Sequence, residues 1–270
     1  MRLDPRDDRL IGLRDLTVWQ TRGGRVLVSL AAWLAARLGP HIALLATLLA
    51  GGTAVTLLTG ASGEIYEAVS DESGVAGLDR PVLDTVLGWR SGPADTAITW
   101  FTDLGGQVGM TLLALAAVLA MTLAWRQWTP AVLVLVAATG SLAMTIVGKA
   151  AVGRVRPPLA DAVPPFETSP AFPSGHALNA TVIAGVVAYL LVRRQRRRWV
   201  RITTITVAGV FALLMGLSRV YLGHHWLTDV LVSWTLGLAW LTAVVVAHRL
   251  FLTVPRGRRN RVADAPSLRE

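Results

Sequence analysis

The sequence predicts an all-α, polytopic membrane protein: a bundle of six transmembrane helices, with short extracytoplasmic helices on the membrane surface. Three observations predict it. Apolar residues gather into runs of about 20, enough at about 1.5 Å per residue to cross a hydrocarbon core of roughly 30 Å. Of the 270 residues, 53% are hydrophobic and 16% charged, where soluble domains carry about 25% charged residues. Arginines concentrate in the short segments beside the apolar runs, where basic residues set membrane topology.

That placement also explains the net charge of +9. The arginines read as topology signals and contacts with anionic lipid, and no nucleic-acid partner is implied. The chain has no cysteine, which removes disulfides, thiolate metal sites and a cysteine nucleophile.

Residues 1–40 form a cytoplasmic N-terminal segment. Its start mixes Arg2, Asp4, Arg6, Asp7, Asp8 and Arg9, unlike the basic-then-apolar start of a cleaved signal peptide. Within it, 26–38 is apolar but too short to span, and predicts an interfacial helix on the inner leaflet. The alternative is that these residues are the first turns of a long first span.

Residues 41–252 form the six-span domain, with no internal repeat. The first span is 41–60. The stretch 61–106 that follows carries eight acids and two arginines. Helical spacing of Val82, Leu83, Val86 and Leu87 predicts one or two short surface helices there, ended by Gly105-Gly106. The second span is 108–125 and the third 130–148, joined by a tight turn with Trp128 at interface depth. Pro157, Pro158, Pro164, Pro165 and Pro170 stiffen a loop over 150–172. The fourth, fifth and sixth spans are 174–192, 202–222 and 226–250. The six arginines of 193–201 read as a topology determinant, and most of the ten tryptophans as interface anchors or packing. Residues 253–270 form a basic cytoplasmic tail, expected to be disordered.

Arginine placement puts both termini, the 126 turn and the 193–201 run in the cytoplasm. A plasma (cell) membrane location is expected, with three polar clusters on the extracytoplasmic side: 149–157, 173–176 and 218–229. Lys149 is the one lysine; every other cation among the 26 Lys and Arg is arginine. A single compact ammonium in such a chain suggests a site that needs one. Arg154, Arg156 and Arg219 break the charge rule by lying outside. Arg154 reads as a rim charge that attracts an anionic substrate, or else as a solvated side chain.

The converging groups are Lys149, Arg156, Arg219, Ser174, the amides near Gly175, His176, His225 and Asp229. Three cations, a hydroxyl and helix-start amides make an oxyanion cage, which phosphoryl transfer requires. His225 and Asp229 are four apart and share a helix face. The carboxylate can fix the imidazole tautomer and stabilise its cation, making His225 a plausible nucleophile on phosphorus. His176, from another segment, is then the general acid for the leaving oxygen. No carboxylate cage for Mg²⁺ is evident, so the expectation is a metal-free site with no cofactor. His224 reads as a spacer or outer-shell group; a metal site of His224, His225 and Asp229 lacks a third strong ligand.

Lys149-x6-Arg156-Pro157, Pro173-Ser174-Gly175-His176 and Ser218-Arg219-x5-His225-x3-Asp229 resemble the three signature motifs of the type 2 phosphatidic acid phosphatase (PAP2) superfamily. Every defined motif position matches, in order. The resemblance covers 149–229; outside it rests on the six-span layout. It implies a metal-independent lipid phosphatase working through a phosphohistidine. It makes Lys149, Arg156 and Arg219 phosphate ligands, with Ser174 and Gly175 as hydrogen-bond donors, His176 as acid, His225 as nucleophile and Asp229 as its partner. The superfamily is also similar to vanadate haloperoxidases, which are soluble.

The expected partners are the bilayer and a lipid phosphate or pyrophosphate. Polyprenyl pyrophosphate, phosphatidic acid, diacylglycerol pyrophosphate and phosphatidylglycerol phosphate all present the same terminal group, and the motifs do not separate them. A lipid phosphotransferase would use the same residues. A non-catalytic anionic-lipid binder or transport protein is the reading from another class. Oligomeric state has no signal in the sequence.

Overall fold

The computed structural model describes residues 10–11, 14–38, 52 and 75–263, with side chains as far as Thr253. Among the described residues the regular structure is helical apart from a two-residue antiparallel pairing of β1 (Leu10–Ile11) with β2 (Arg14–Asp15). Eight α-helices follow: α1 (Arg22–Leu38), α2 (Asp79–Leu87), α3 (Gly92–Asp103), α4 (Gln107–Trp125), α5 (Thr129–Val152), α6 (Gly175–Arg194), α7 (Arg198–Tyr221) and α8 (Leu227–Ala263).

Five of these, α4 to α8, are long and apolar enough to cross a membrane. The expected first span, 41–60, lies outside the described residues except for Gly52. Where one or two short helices are predicted within 61–106, the structure has two, α2 and α3. The helix predicted over 26–38 is present as α1, which packs against α8.

The spans end where the backbone chemistry ends them. Pro130 sits in the first turn of α5, where its missing N–H costs nothing. The same helix stops at Gly153, whose φ of +60° is the left-handed conformation that closes a helix, its N–H donating to the Lys149 carbonyl at 3.1 Å. Lys149 therefore lies inside the last turn of α5, not just after it as the sequence suggests. Similarly, α7 begins at Arg198, within the arginine run, and α8 continues to Ala263, into the tail expected to be disordered.

The core runs along α6. Met110, Leu133, Val134, Ala137, Met144, Leu178, Val182, Val186, Leu190, Met215, Leu236, Trp240 and Val244 form one buried cluster from α4 to α8. Over half of the α6 span is buried, and it packs against α5, α7 and α8. By contrast, α4 and α7 expose apolar side chains such as Leu112, Leu119, Ile205 and Val207, as lipid-facing helices do. The antiparallel succession of α4 to α8 brings the starts of α4, α6 and α8 and the ends of α5 and α7 to one end of the bundle. At the other end, Arg249 donates to the Leu16 carbonyl at 2.9 Å and Trp19 to Thr253 at 3.3 Å, fastening the N-terminal segment beside the lower part of α8.

Candidate active site

The three sequence clusters meet at that first end. Lys149, from the last turn of α5, donates to Ser169 Oγ at 3.1 Å and to the Pro170 carbonyl. Arg156, in the loop after α5, donates to the Ser169 carbonyl at 2.7 Å, to the His224 carbonyl and to Glu167 Oε2 at 3.1 Å. Its Nη1 stands 3.2 Å from His225 Nε2. Arg219, buried near the end of α7, donates to Thr102 Oγ1 of α3 at 3.2 Å and to Glu167 Oε1. Two cations from different segments thus grip the two oxygens of one carboxylate.

A guanidinium has only donors, so the Nε2 facing Arg156 presents its lone pair and the ring proton belongs on Nδ1. That Nδ1 is 3.5 Å from Asp229 Oδ2, close but without hydrogen-bond geometry. Burial, then the charges of Arg156, Arg219 and Lys149, push the His225 imidazole well below its ordinary pKa. The ring is therefore neutral, with the free nitrogen toward the cations. Burial alone would raise the Glu167 carboxyl, but Arg219 and Arg156 outweigh it and hold the group down to about 2. Arg156 is lowered, chiefly by burial.

Ser174 occupies the N-cap position of α6 with an extended backbone, yet its hydroxyl makes no capping bond. Its N–H donates to Ser233 Oγ of α8 at 2.8 Å, which locks the start of α6 to α8. Four buried polar atoms here have no hydrogen-bond partner among the described residues: Ser174 Oγ, Arg219 Nε, His224 Nδ1 and His225 Nδ1. They come from the second and third sequence clusters, and buried polar groups left unpaired mark sites whose capacity is reserved. A Cβ added to Gly175 would stand 3.4 Å from Thr145 Cγ2, so glycine keeps this helix start close to α5. His176 follows it. The turn between α3 and α4 walls the ring off: a Cβ on Gly106 would lie 3.5 Å from His176 Nε2.

Asp229 is fully buried in the first turn of α8, where Oδ2 accepts the Trp226 N–H at 3.0 Å and Oδ1 pairs with Arg154. This corrects the expectation for Arg154. It is not a rim charge; its side chain is 9% exposed and bridges Asp229 to Asp79. His224 is buried, its Nε2 on the Val163 carbonyl at 2.6 Å. Glu167, Thr102, Ser169 and Asp79 have no signature in sequence, because none of their partners is near enough in the chain to make a local pattern. Among the described residues, no three of His, Cys, Asp and Glu are grouped as a metal site.

The helical fold and the clustered cations and histidines are those expected of a membrane phosphatase, and the family model for the PAP2 superfamily matches residues 129–251. The chain belongs to that superfamily. Phosphatidylglycerophosphatase B of Bacillus subtilis is 33% identical over 179 residues, 64% of this chain and 85% of that protein. An undecaprenyl-diphosphatase of Sulfolobus acidocaldarius is 39% identical over 82 residues, covering 30% of this chain but only 35% of its relative. Among solved structures, the transmembrane PAP2-type phosphatidylglycerolphosphate phosphatase from Bacillus subtilis superposes with a TM-score of 0.62 at 27% identity, over 79% of this chain and 98% of that one.

Proposed function

We propose that the protein removes a terminal phosphate from a membrane lipid, without a metal ion, through a phosphohistidine on His225. The observation that carries this reading is the grip of Arg156 and Arg219 on one carboxylate beside the free nitrogen of His225. Two guanidinium forks that hold a carboxylate will hold the non-bridging oxygens of a phosphate. Lys149 adds a point charge, and Ser174 and Gly175 add donors at the start of α6.

The steps follow from the tautomer. His225 Nε2 attacks phosphorus in line; the N–P bond forms as the bond to the lipid oxygen breaks. His176, protonated in the presence of the phosphate anion, gives its proton to that oxygen. Asp229 stabilises the imidazolium-like charge on His225. Water then attacks phosphorus while His176 takes its proton, the N–P bond breaks, and inorganic phosphate leaves with His225 neutral again. Cations already supply the charge stabilisation that a metal would otherwise provide.

The domain is completed in this reading by the 41–60 span, giving six, with both termini cytoplasmic and the site on the extracytoplasmic face of a plasma membrane. The lipid chain stays in the bilayer while the phosphate rises to the cage. Phosphatidylglycerophosphate is the first substrate to try, because the relative aligned over most of its length is named for it.

The test is phosphate release by purified protein in detergent with EDTA, from phosphatidylglycerophosphate, phosphatidic acid, a polyprenyl monophosphate and a polyprenyl pyrophosphate. Release from at least one, abolished in His225→Ala, is expected. Activity of that variant within about tenfold of wild type would sink the nucleophile assignment. Loss of activity in EDTA that Mg²⁺ restores would contradict the metal-free cage.

A further inference from the structure

Behind Asp229 stands an ion-pair chain that no signature motif describes. Asp79, at the start of α2, and Asp229, at the start of α8, are both buried, 150 positions apart in the chain. Arg154, from the loop after α5, lies between them. Its Nη2 is 2.7 Å from Asp79 Oδ2, and its Nη1 pairs with Asp229 Oδ1. Thr228 closes the arrangement: its N–H donates to Asp79 Oδ1 at 2.9 Å and its hydroxyl to Asp79 Oδ2 at 2.6 Å, while Arg154 Nη1 donates to that hydroxyl at 2.9 Å.

Two buried carboxylates share one guanidinium. In a low-dielectric site an Arg154–Asp229 pair alone would be neutral, its charge spent within the pair. With Asp79 on the other fork, the assembly keeps a net negative charge. Asp229 can then orient His225 and balance the positive charge the imidazole gains as it takes phosphorus. Asp79 also caps α8 from outside by binding the Thr228 amide, fixing the register of Asp229 one residue on.

We infer that Asp79, acting through Arg154, is a positioning residue for the reaction: its charge offsets that of the Arg154 guanidinium, so that the Asp229 side of His225 stays net negative. The inference rests on the phosphohistidine reading above. The acidic surface helices would therefore serve catalysis through α2, which reaches the site without touching the substrate.

The experiment compares purified wild type with Asp79→Asn, Arg154→Gln, the double variant, Thr228→Val and His225→Ala, each checked for monodispersity and thermal stability in detergent. Asp79→Asn should lower kcat by about 10- to 100-fold, as loss of an outer partner of a reacting group does. Its KM should stay within about threefold of wild type, because Asp79 makes no substrate contact. Arg154→Gln should cost a similar factor, and the double variant no more than the worse single one, since both act through Asp229. Thr228→Val removes the hydroxyl bonds to Asp79 and Arg154 while leaving the backbone bond and the charges in place, and should cost less than Asp79→Asn. Asp79→Asn with wild-type kcat beside an inactive His225→Ala overturns the inference and leaves the phosphatase reading standing. So do multiplicative losses in the double variant, or a Thr228→Val loss equal to that of Asp79→Asn, which would make the role structural. An active His225→Ala overturns both.

Discussion

Arg156 Nη1 stands 3.2 Å from His225 Nε2, and a guanidinium can only donate there. One contact thereby sets two properties of the imidazole. It leaves the nitrogen lone pair unprotonated, and it brings the ring beside a fork able to hold phosphate oxygens. The same Arg156 also reaches Ser169, Glu167 and the Pro170 and His224 carbonyls, so its plane is fixed by five residues of two loops.

Replacement of that fork with a point charge tests whether geometry or charge matters. Arg156→Lys should lower kcat/KM by about 100-fold or more, because a lysine cannot serve the phosphate, the His225 nitrogen and two carbonyls together. Steady-state phosphate release measures it. A loss of less than threefold would show that charge alone suffices.

Glu167 holds the two arginines that a phosphate would need. With its carboxyl held near pKa about 2 by Arg219 and Arg156, it competes as an anion at every practical assay pH. Glu167→Gln, neutral and a weaker ligand for guanidinium, should lower KM and the inhibition constant of inorganic phosphate by about tenfold. A raised KM would make Glu167 a buttress for the forks and not a competitor.

The residues expected to act on phosphate were readable in the sequence because each sits in a short pattern at the edge of an apolar run, and the bundle brings those edges to one end. The helix ends were less readable: Gly153 closes α5 a turn beyond Lys149 by adopting a left-handed backbone, which hydropathy does not register. Arg154 was misread because its partners, Asp79 and Asp229, are 75 positions away on either side. A charge beside a membrane span looks solvent-facing until the fold supplies acids for it. Glu167 and Asp79 carry no local pattern at all, since their meaning lies in arginines contributed by other segments.

Acid should destabilise the folded protein in a defined window. His225 and His224 are both lowered in the fold, chiefly by burial, His224 from 6.5 to about 4. Above 6.5 both are neutral folded and unfolded, and the full stability is present. Below it the unfolded chain takes up protons that the buried rings refuse, so stability falls until the folded His224 titrates near 4. The thermal midpoint in detergent should drop by about 5 °C or more between pH 7 and pH 5, and His224→Asn should flatten the drop. An unchanged midpoint would mean that the rings are accessible to protons without unfolding.

Gly223 is the backbone position on which the placement of both histidines depends. It ends α7 with φ +70°, and a Cβ there would fall 2.1 Å from the Asp161 carbonyl oxygen, a backbone atom that cannot swing aside. Gly223→Ala therefore meets two penalties, left-handed strain of about 1 kcal/mol and a collision with the loop that carries Asp161. The next two residues are His224 and His225, both with amides bonded back to the Arg219 carbonyl, so any shift of this turn moves His225 away from Arg156. The variant should lose about 100-fold or more in kcat, given how steeply rate depends on placement at the angstrom scale, with a lowered thermal midpoint although no reacting group is changed. Gly223→Ala with wild-type kcat and midpoint would show that the turn relaxes freely, and that His225 is held by Arg156 and Asp229 alone.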